Sequence, residues 1–484
     1  VITPQGGVVL GDTLRYMDPY TYIKQWRINP FLFFSKALGV EHSPRPDPTT
    51  VNGRRVFFSH VDGDGLINPS SSYPGKSSGE ALYDNVYSQY TQLPLTLSVI
   101  TSELDPVFDS EGQAASLAKK LFALSHVEAA SHTYSHPLVW DDRLAKEGTI
   151  LEYQNTVNRP HYTNHALLPN RIPGYVYNPK SEIEESIQTI NDTFLPKGKV
   201  CRLLLWSGNC LPNEAAITMA SQNGILNMNG GDTQFDPKRP SYTGVSPMYR
   251  QVGNSYQVHS GNANENIYTD LWSSPLGGFQ SVIRTFKNTE SPRRVSPVNV
   301  YYHHYSGEYL SSVNAVKKAY DWAIEQPLFP MYASQYSRLV LGVIHTKIES
   351  EGPLTWTIRN SGALKTVRFD NTTYNVDMTR SIGIIGYTHY QSALYVHLSE
   401  ADTHRITLTH SPNSRHYLSD ANASVTDWDP AHLPLTYRTH GWGPLQYRWN
   451  NLSPSTEYQI IFSPSIGKAM HQTLRSSAKG TLTF

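Results

Sequence analysis

The chain reads as an α/β protein with a parallel sheet, a distorted (β/α) barrel, followed by an all-β region of sandwich type. Three observations predict this. Between about 56 and 338, short apolar runs alternate with helical segments. After about 340 only short alternating strands with turn residues between them remain. In the first part, polar clusters recur at strand ends, the place where parallel α/β folds carry their chemistry.

The elements follow in order. Residues 1–55, rich in proline and aromatics, read as a lead-in that packs on the barrel. RRVFFSHV (54–61) and LPLTLSVI (93–100) are strands. SEGQAASLAKKLFAL (110–124) has helical spacing with a serine N-cap, and VEAASH (127–132) returns as a strand. SEIEESIQTINDTFL (181–195) opens like a helix with a capping box from Ser181 to Glu184. VCRLLLW (200–206) is a strand, NEAAITMASQNG (213–224) a helix closed by Gly224, and ILNMNGG (225–231) a strand. VNVYYHHYS (298–306) is a strand and SSVNAVKKAYDWAIEQ (311–326) a long helix. The spans are therefore 1–55 lead-in, 56–338 α/β domain and 339–484 β domain. Seven or eight strands are expected in the last, among them LTWTIRN, LKTVRFD, ALYVHLS and EYQIIFS.

Composition excludes some classes. Lys+Arg and Asp+Glu both number 40, so there is no basic excess for nucleic acid. No run approaches the about 18 apolar residues of a membrane span. The 31 tyrosines and 9 tryptophans suit sugar faces, and equally suit a β-rich protein. Cys201 and Cys210 are nine apart on a strand and turn, about 30 Å when extended, against the about 7 Å a disulfide allows; they read as separate thiols. The first residue, Val1, has no charged or apolar leader after it, so the chain reads as a mature or excised piece.

The reactive residues fall in HVDGDG (60–65), SHTYSHP (131–137), WSGN (206–209), NGGD (229–232) and HHYSGE (303–308). Two histidines and a carboxylate, with positions left open, make a site for Zn²⁺ or a similar divalent ion. His132 and His136 supply nitrogens, and Asp62 or Asp64 supplies the oxygen, leaving the other as a general base. A histidine of HHYSGE supplies a proton to a leaving group. Metal, base and acid on one face describe hydrolysis of an amide or ester. DGDG is not an EF-hand loop, since Leu66 occupies the third ligand position; read singly, each cluster is also compatible with a turn or a core histidine.

These ordered motifs resemble the polysaccharide deacetylase (NodB-like) family, most closely its branch acting on the Pel exopolysaccharide of biofilm matrices. NPFLFFSKALG, PDPTTVNGRR, GALKTVRFD and GIIGYTHYQSALYVHL extend the likeness through most of the chain. The resemblance implies a distorted barrel, one divalent ion, usually zinc, and removal of N-acetyl groups from a hexosamine polymer in the periplasm. It also implies further domains before Val1 and possible contact with other export components. By the same likeness Asp64, His132 and His136 correspond to metal ligands, Asp62 to the base, and His303 to the acid, with His304 the alternative. The chain departs from the family where Gly63 separates the two aspartates and where WSGNCLP replaces an Arg-x-Pro-Tyr stretch; RIPGY (171–175) matches it out of order and reads as a decoy. Asp232 is then a candidate support, Trp206 a sugar-stacking wall, and the backbone near Trp206 and Ser207 an oxyanion donor. Two other readings are a sugar-binding protein without turnover and a metal-free glycosidase built on paired carboxylates.

Overall fold

The structure is a computed structural model that describes residues 14–140, 172, 175–269, 275–359, 362–429, 434–464 and 468–484. It is a mixed α/β protein. Its central element is a half-barrel of six parallel strands: β1 (Arg54–Asp62), β2 (Leu95–Val99), β3 (Val127–Ser131), β4 (Leu203–Leu205), β5 (Leu226–Met228) and β6 (Val298–His303). The order across the sheet is β6–β1–β2–β3–β4–β5. A short strand, β7 (Leu328–Pro330), runs parallel to the start of β1. The edges β5 and β6 are not paired with each other. The segment 260–262 spans the gap: Ser260 N donates to Gly230 O, and Gly261 N to the Asn299 side chain (3.1 Å). Asn299 N donates in turn to Asn262 Oδ1 (2.9 Å).

All nine residues of β1 are buried, as expected for a strand covered on both faces. The pleat sorts them. Phe57 and Val61 join the core beneath the helices α1 (Gln113–Ala123), α2 (Glu214–Gln222) and α3 (Leu310–Ile324). Val56 and Phe58 join a second core, closed by Tyr336 and Val340 of α4 (Ala333–His345). The period of two therefore sends His60 and Asp62 to the face of Val56 and Phe58. The same parity holds on β6, where Val298, Val300 and Tyr302 face the helices and Asn299, Tyr301 and His303 the other side.

Local expectations are met with two corrections. The 113–123 helix is not capped by Ser110; Asp109 accepts from Gln113 N (2.7 Å) and Ala115 N (2.8 Å), and Gly112 takes the left-handed position before the helix. Ser181 makes no capping box with Glu184: the helical backbone already begins before it, and its hydroxyl donates to Glu185 (2.7 Å). Cys201 and Cys210 are both free. No helix among the described residues is long and apolar enough to cross a membrane.

The expected boundary at 338/339 falls inside α4, which packs on the half-barrel, so the all-β part begins after His345. Nor is the lead-in confined to the barrel: Arg45–Pro46 pairs antiparallel with Thr366–Asp370. The β part holds more than the seven or eight expected strands, and it is organised around two apolar cores. One, with Trp356, Val367, Leu394 and Ile406, lies between the two four-stranded sheets. The other gathers Leu418, Tyr447, Trp449 and Leu482.

Gly208, in the turn after β4, sits at φ +62°, and a Cβ there would lie 2.4 Å from Leu138 Cα. Gly208→Ala is expected to cost about 1–3 kcal/mol, from positive φ and the backbone clash together. Thermal unfolding of the variant checks this; an unchanged midpoint would contradict the close approach.

Candidate metal centre

Three strand ends build the site. After Asp62 the chain turns through Gly63, where a Cβ would meet Ile100 N at 2.8 Å, so only glycine lets this turn press on the end of β2. That turn aims Asp64 at the loop following β3. In that loop Thr133 (φ +71°) and His136 (φ +57°) are both left-handed, costly for L-residues and acutely so for a β-branched one. The loop is held by hydrogen bonds. His136 N donates to Thr133 Oγ1 (3.0 Å), and Tyr134 N and Ser135 N both donate to Glu182 Oε2 (3.0 and 2.8 Å). Burial pushes the Glu182 carboxyl up, against the pull of the Ser135 and Tyr175 hydroxyls. Backbone strain is thus spent on presenting two imidazoles.

Asp64, His132 and His136 converge. Asp64 Oδ2 lies 3.0 Å from His132 Nε2, and Oδ1 lies 3.1 Å from His136 Nε2. Their ligand atoms all lie within 4.8 Å of one another. His132 Nδ1–H donates to Leu205 O (3.0 Å), which fixes the ring and leaves Nε2 toward Asp64, the usual support for a metal-binding histidine. Asp64 Oδ2 is buried without an ordinary hydrogen bond. Such an orphaned atom needs an explanation, and a cation beside it is one. The donor set, two imidazoles and one carboxylate, fits a divalent ion such as Zn²⁺. Burial opposes ionisation of Asp64, but His136 and His132 hold its carboxyl well below the usual range. Burial likewise opposes protonation of His132, yet Asp62 and Asp64 outweigh it and raise the imidazole.

Asp62 is placed differently. Asn229 Nδ2 donates to both its oxygens (3.0 Å each), and Tyr301 OH donates to Oδ2 (2.7 Å). Since Asn229 turns its NH₂ to Asp62, its Oδ1 faces His60 Nε2 (3.1 Å), which must donate. His60 Nδ1 then accepts from Asn299 Nδ2 (3.1 Å). Burial lowers the His60 pKa to about 4, so this chain of donors is neutral throughout. A neutral amide and a phenol hydrogen-bond the second carboxylate, while the imidazoles of His303 (3.6 Å) and His132 (3.8 Å) stand just beyond hydrogen-bond distance of it.

His303 faces Asp62 from β6, Nε2 to Oδ2 3.6 Å. Its Nδ1–H lies 3.1 Å from both oxygens of Glu265, which is fully buried and also accepts from His303 N and Ser306 Oγ. Its ring stacks on Tyr305 at 4.6 Å. Burial opposes its charge, but Glu265, with Asp64 and Asp62 behind it, raises its pKa to about 9. His304 turns to the helix side: Nε2–H donates to Ser98 O (3.0 Å), Nδ1 pairs with Tyr87 OH (2.9 Å), and burial lowers its pKa to about 4. Of the two histidines only His303 faces the centre.

Asp62, Asp64, His132, His136 and His303 are thus brought together, and three expectations are corrected. Trp206 cannot be a sugar-stacking wall. It is fully buried on the parity of Leu204, edge-on to Trp140 at 4.7 Å, and its Nε1–H donates to Asn227 Oδ1. Its N–H is committed to Met228 O, so of the two backbone groups expected as oxyanion donors Trp206 drops out and the Ser207 N–H remains. The Ser207 side chain is also fully buried, donating to Pro137 O (2.8 Å) and tying the β4 turn to the histidine loop. Asp232 is exposed and does not brace Asp62; Asn229, three residues earlier in the same NGGD motif, does. Of RIPGY, residues 171, 173 and 174 lie outside the described residues, and Tyr175 OH donates to Glu182. Residues unforeseen from sequence are Asn229, Tyr301, Glu265, Glu182 and His60. Tyr301 carried a signal, since it shares the parity of His303 within one strand; Glu265 comes from a segment with no motif.

No family model matches the chain, and no curated protein matches it. Among solved structures it is similar to a 4-alpha-glucanotransferase from Thermococcus litoralis, with 11% identity and a TM-score of 0.36. That alignment covers 58% of this chain and 40% of the other, less than half its length. A likeness at that level carries no argument about fold or chemistry.

Two outcomes are expected. Zn²⁺ uptake should release protons, because Asp62 and Asp64 raise the His132 pKa and a protonated Nε2 must lose its proton to coordinate. Calorimetry in buffers of differing ionisation heat measures this, and uptake without proton release would contradict the ion pair. In metal-free protein, Glu265→Gln should move the titration of His303 from about 9 toward 6.5, read by NMR. The raised pKa contributes stability in full below about 6.5 and loses it as pH rises through about 9. The stability advantage of wild type over the variant should therefore shrink across that window.

Proposed function

We propose that the chain is a metal-dependent deacetylase that removes N-acetyl groups from a hexosamine polysaccharide, with the half-barrel as a distorted (β/α) barrel of the NodB-like type. On this reading the all-β part is a sandwich-like accessory region, the protein works in the periplasm during exopolysaccharide biosynthesis, and the resident ion is zinc. The observation that carries the reading is the division of labour between two carboxylates two residues apart. Asp64 is paired with His132 and His136, while Asp62 is hydrogen-bonded by Asn229 and Tyr301 and faces His303, with which it and Asp64 also lie within 4.8 Å.

Asp64, His132 and His136 would hold the ion. When bound, it supplies Lewis-acid polarisation of a carbonyl and acidifies a water. Asp62 is the base that takes a proton from the attacking water; its hydrogen-bond donors, Asn229 and Tyr301, are neutral and hold the carboxylate toward the centre. His303, charged up to about pH 9, gives its Nε2 proton to the departing amine. Glu265 fixes the tautomer, keeping Nδ1–H to itself and Nε2 toward Asp62. Tyr301 bonds Asp62, and Tyr305 restrains the His303 ring, so base and acid flank one point from two strands. Water and amide yield acetate and a free amine, and each processed sugar gains a positive charge.

The test is acetate release from an acetylated hexosamine oligomer. Chelation should abolish it and Zn²⁺ restore it. Asp62→Asn and His303→Gln should each lower the rate by about 10²–10⁴-fold while retaining metal. The rate should fall on the alkaline side as His303 loses its proton, and that limb should move down in Glu265→Gln, since Glu265 is the main group raising the imidazole. Undiminished release from chelated protein or from Asp62→Asn would sink the proposal.

A further inference from the structure

A cavity of about 740 Å³ lies between the helix Pro30–Ala37, the loop bearing Phe235 and Tyr242, and the junction of Arg293 with Asp370. It shares no lining residue with the metal centre. Its size is within the range of ligand clefts, about 300–1,000 Å³.

Four half-buried rings line it: Trp26, Phe31, Phe235 and Tyr242. Tyr242 meets Phe31 edge-on at 5.1 Å and Phe235 at 5.0 Å, contacts that lock the rings at steep angles to one another. The Arg293 guanidinium lies 4.4 Å over Phe31 and donates to Asp370 Oδ2 (2.6 Å), while its Nε is buried with no partner. The charged lining balances: Arg45 and Arg293 against Glu41 and Asp370. A cleft for an anion or a cation would carry a surplus of the opposite sign. This one offers fixed rings and planar polar groups with no net charge. Rings take the C–H faces of a sugar, and amide, hydroxyl and guanidinium groups such as those of Asn29, Ser241 and Arg293 take its hydroxyls.

We propose that this cavity is a second, non-catalytic groove that binds several units of a neutral carbohydrate chain. The ligand class follows from the lining; only the choice of an acetylated probe rests on the reading of the metal centre. On a polymer substrate, a groove separate from the metal centre would hold the chain between turnovers and raise its local concentration.

The test is calorimetric binding of an acetylated hexosamine hexamer and of a neutral glucan hexamer, with chelator present so that the metal centre contributes nothing. Trp26→Ala and Tyr242→Ala should each weaken binding of a hexamer at least ten-fold. Ser35→Trp narrows the groove from its helix wall without removing a ring, and should do the same. All three should turn over a small acetyl ester within two-fold of wild type, which shows an intact fold. Full-strength binding by Ser35→Trp, no binding of either hexamer by wild type, or capture of a peptide in place of sugar would overturn the assignment. If acetate release fails while groove-dependent binding persists, only the deacetylase reading falls; the reverse outcome removes the groove alone.

Discussion

A carboxylate taken out of water must be met by charge or by hydrogen bonds, and this centre buries two of them side by side. Asp64 is answered by two imidazoles, Asp62 by an amide, a phenol and the approach of His303. Most of the surrounding structure serves that requirement. Asn229 is positioned by His60, which is positioned by Asn299, which also bridges the sheet edges. Glu265 answers His303 in turn. Removing one member would leave a buried charge or donor without its partner, so the network holds or fails largely as a unit.

The sheet makes this arrangement possible. Parallel strands present their C-terminal ends on one face, and the pleat selects which side chains reach it. On β1 and β6 the same alternation that sends Phe57, Val61, Val300 and Tyr302 under the helices sends Asp62, Tyr301 and His303 to the centre. On β4 it sends Trp206 under the helices with Leu204. The strained turn at Thr133–His136 does by backbone what the pleat cannot, since a β-strand would point residues four apart the same way but some 13 Å apart.

The β part and the lead-in are joined through one cluster. Asp370 takes Arg45 and Arg293, and Arg368 bonds the same carboxylate while approaching Asp47. Lead-in, half-barrel and β part therefore meet around one acid, and the aromatic cavity opens beside it. The lead-in's pairing is split accordingly: Arg15–Met17 and Lys24–Trp26 pair with each other, Thr50–Val51 pairs with the start of β1, and Arg45–Pro46 borrows hydrogen bonds from a strand more than three hundred residues away.

Periodicity and turn chemistry in the sequence were enough to outline the parallel strands, their helices and the start of a β-rich part, because these depend on contacts within a few positions; they also placed Asp62, Asp64, His132, His136 and the HH pair at strand ends. Parity along β4 was also legible and would have shown Trp206 to be core. Tertiary structure alone decided which histidine of the HH pair faces the centre, which aspartate is braced and by what, and where α4 belongs. Glu265 and Glu182 reach the site from two helices and carry no local pattern, because their partners lie 38 and 48 residues away. Local propensity encodes the elements. The pairing of buried charges is a property of their assembly.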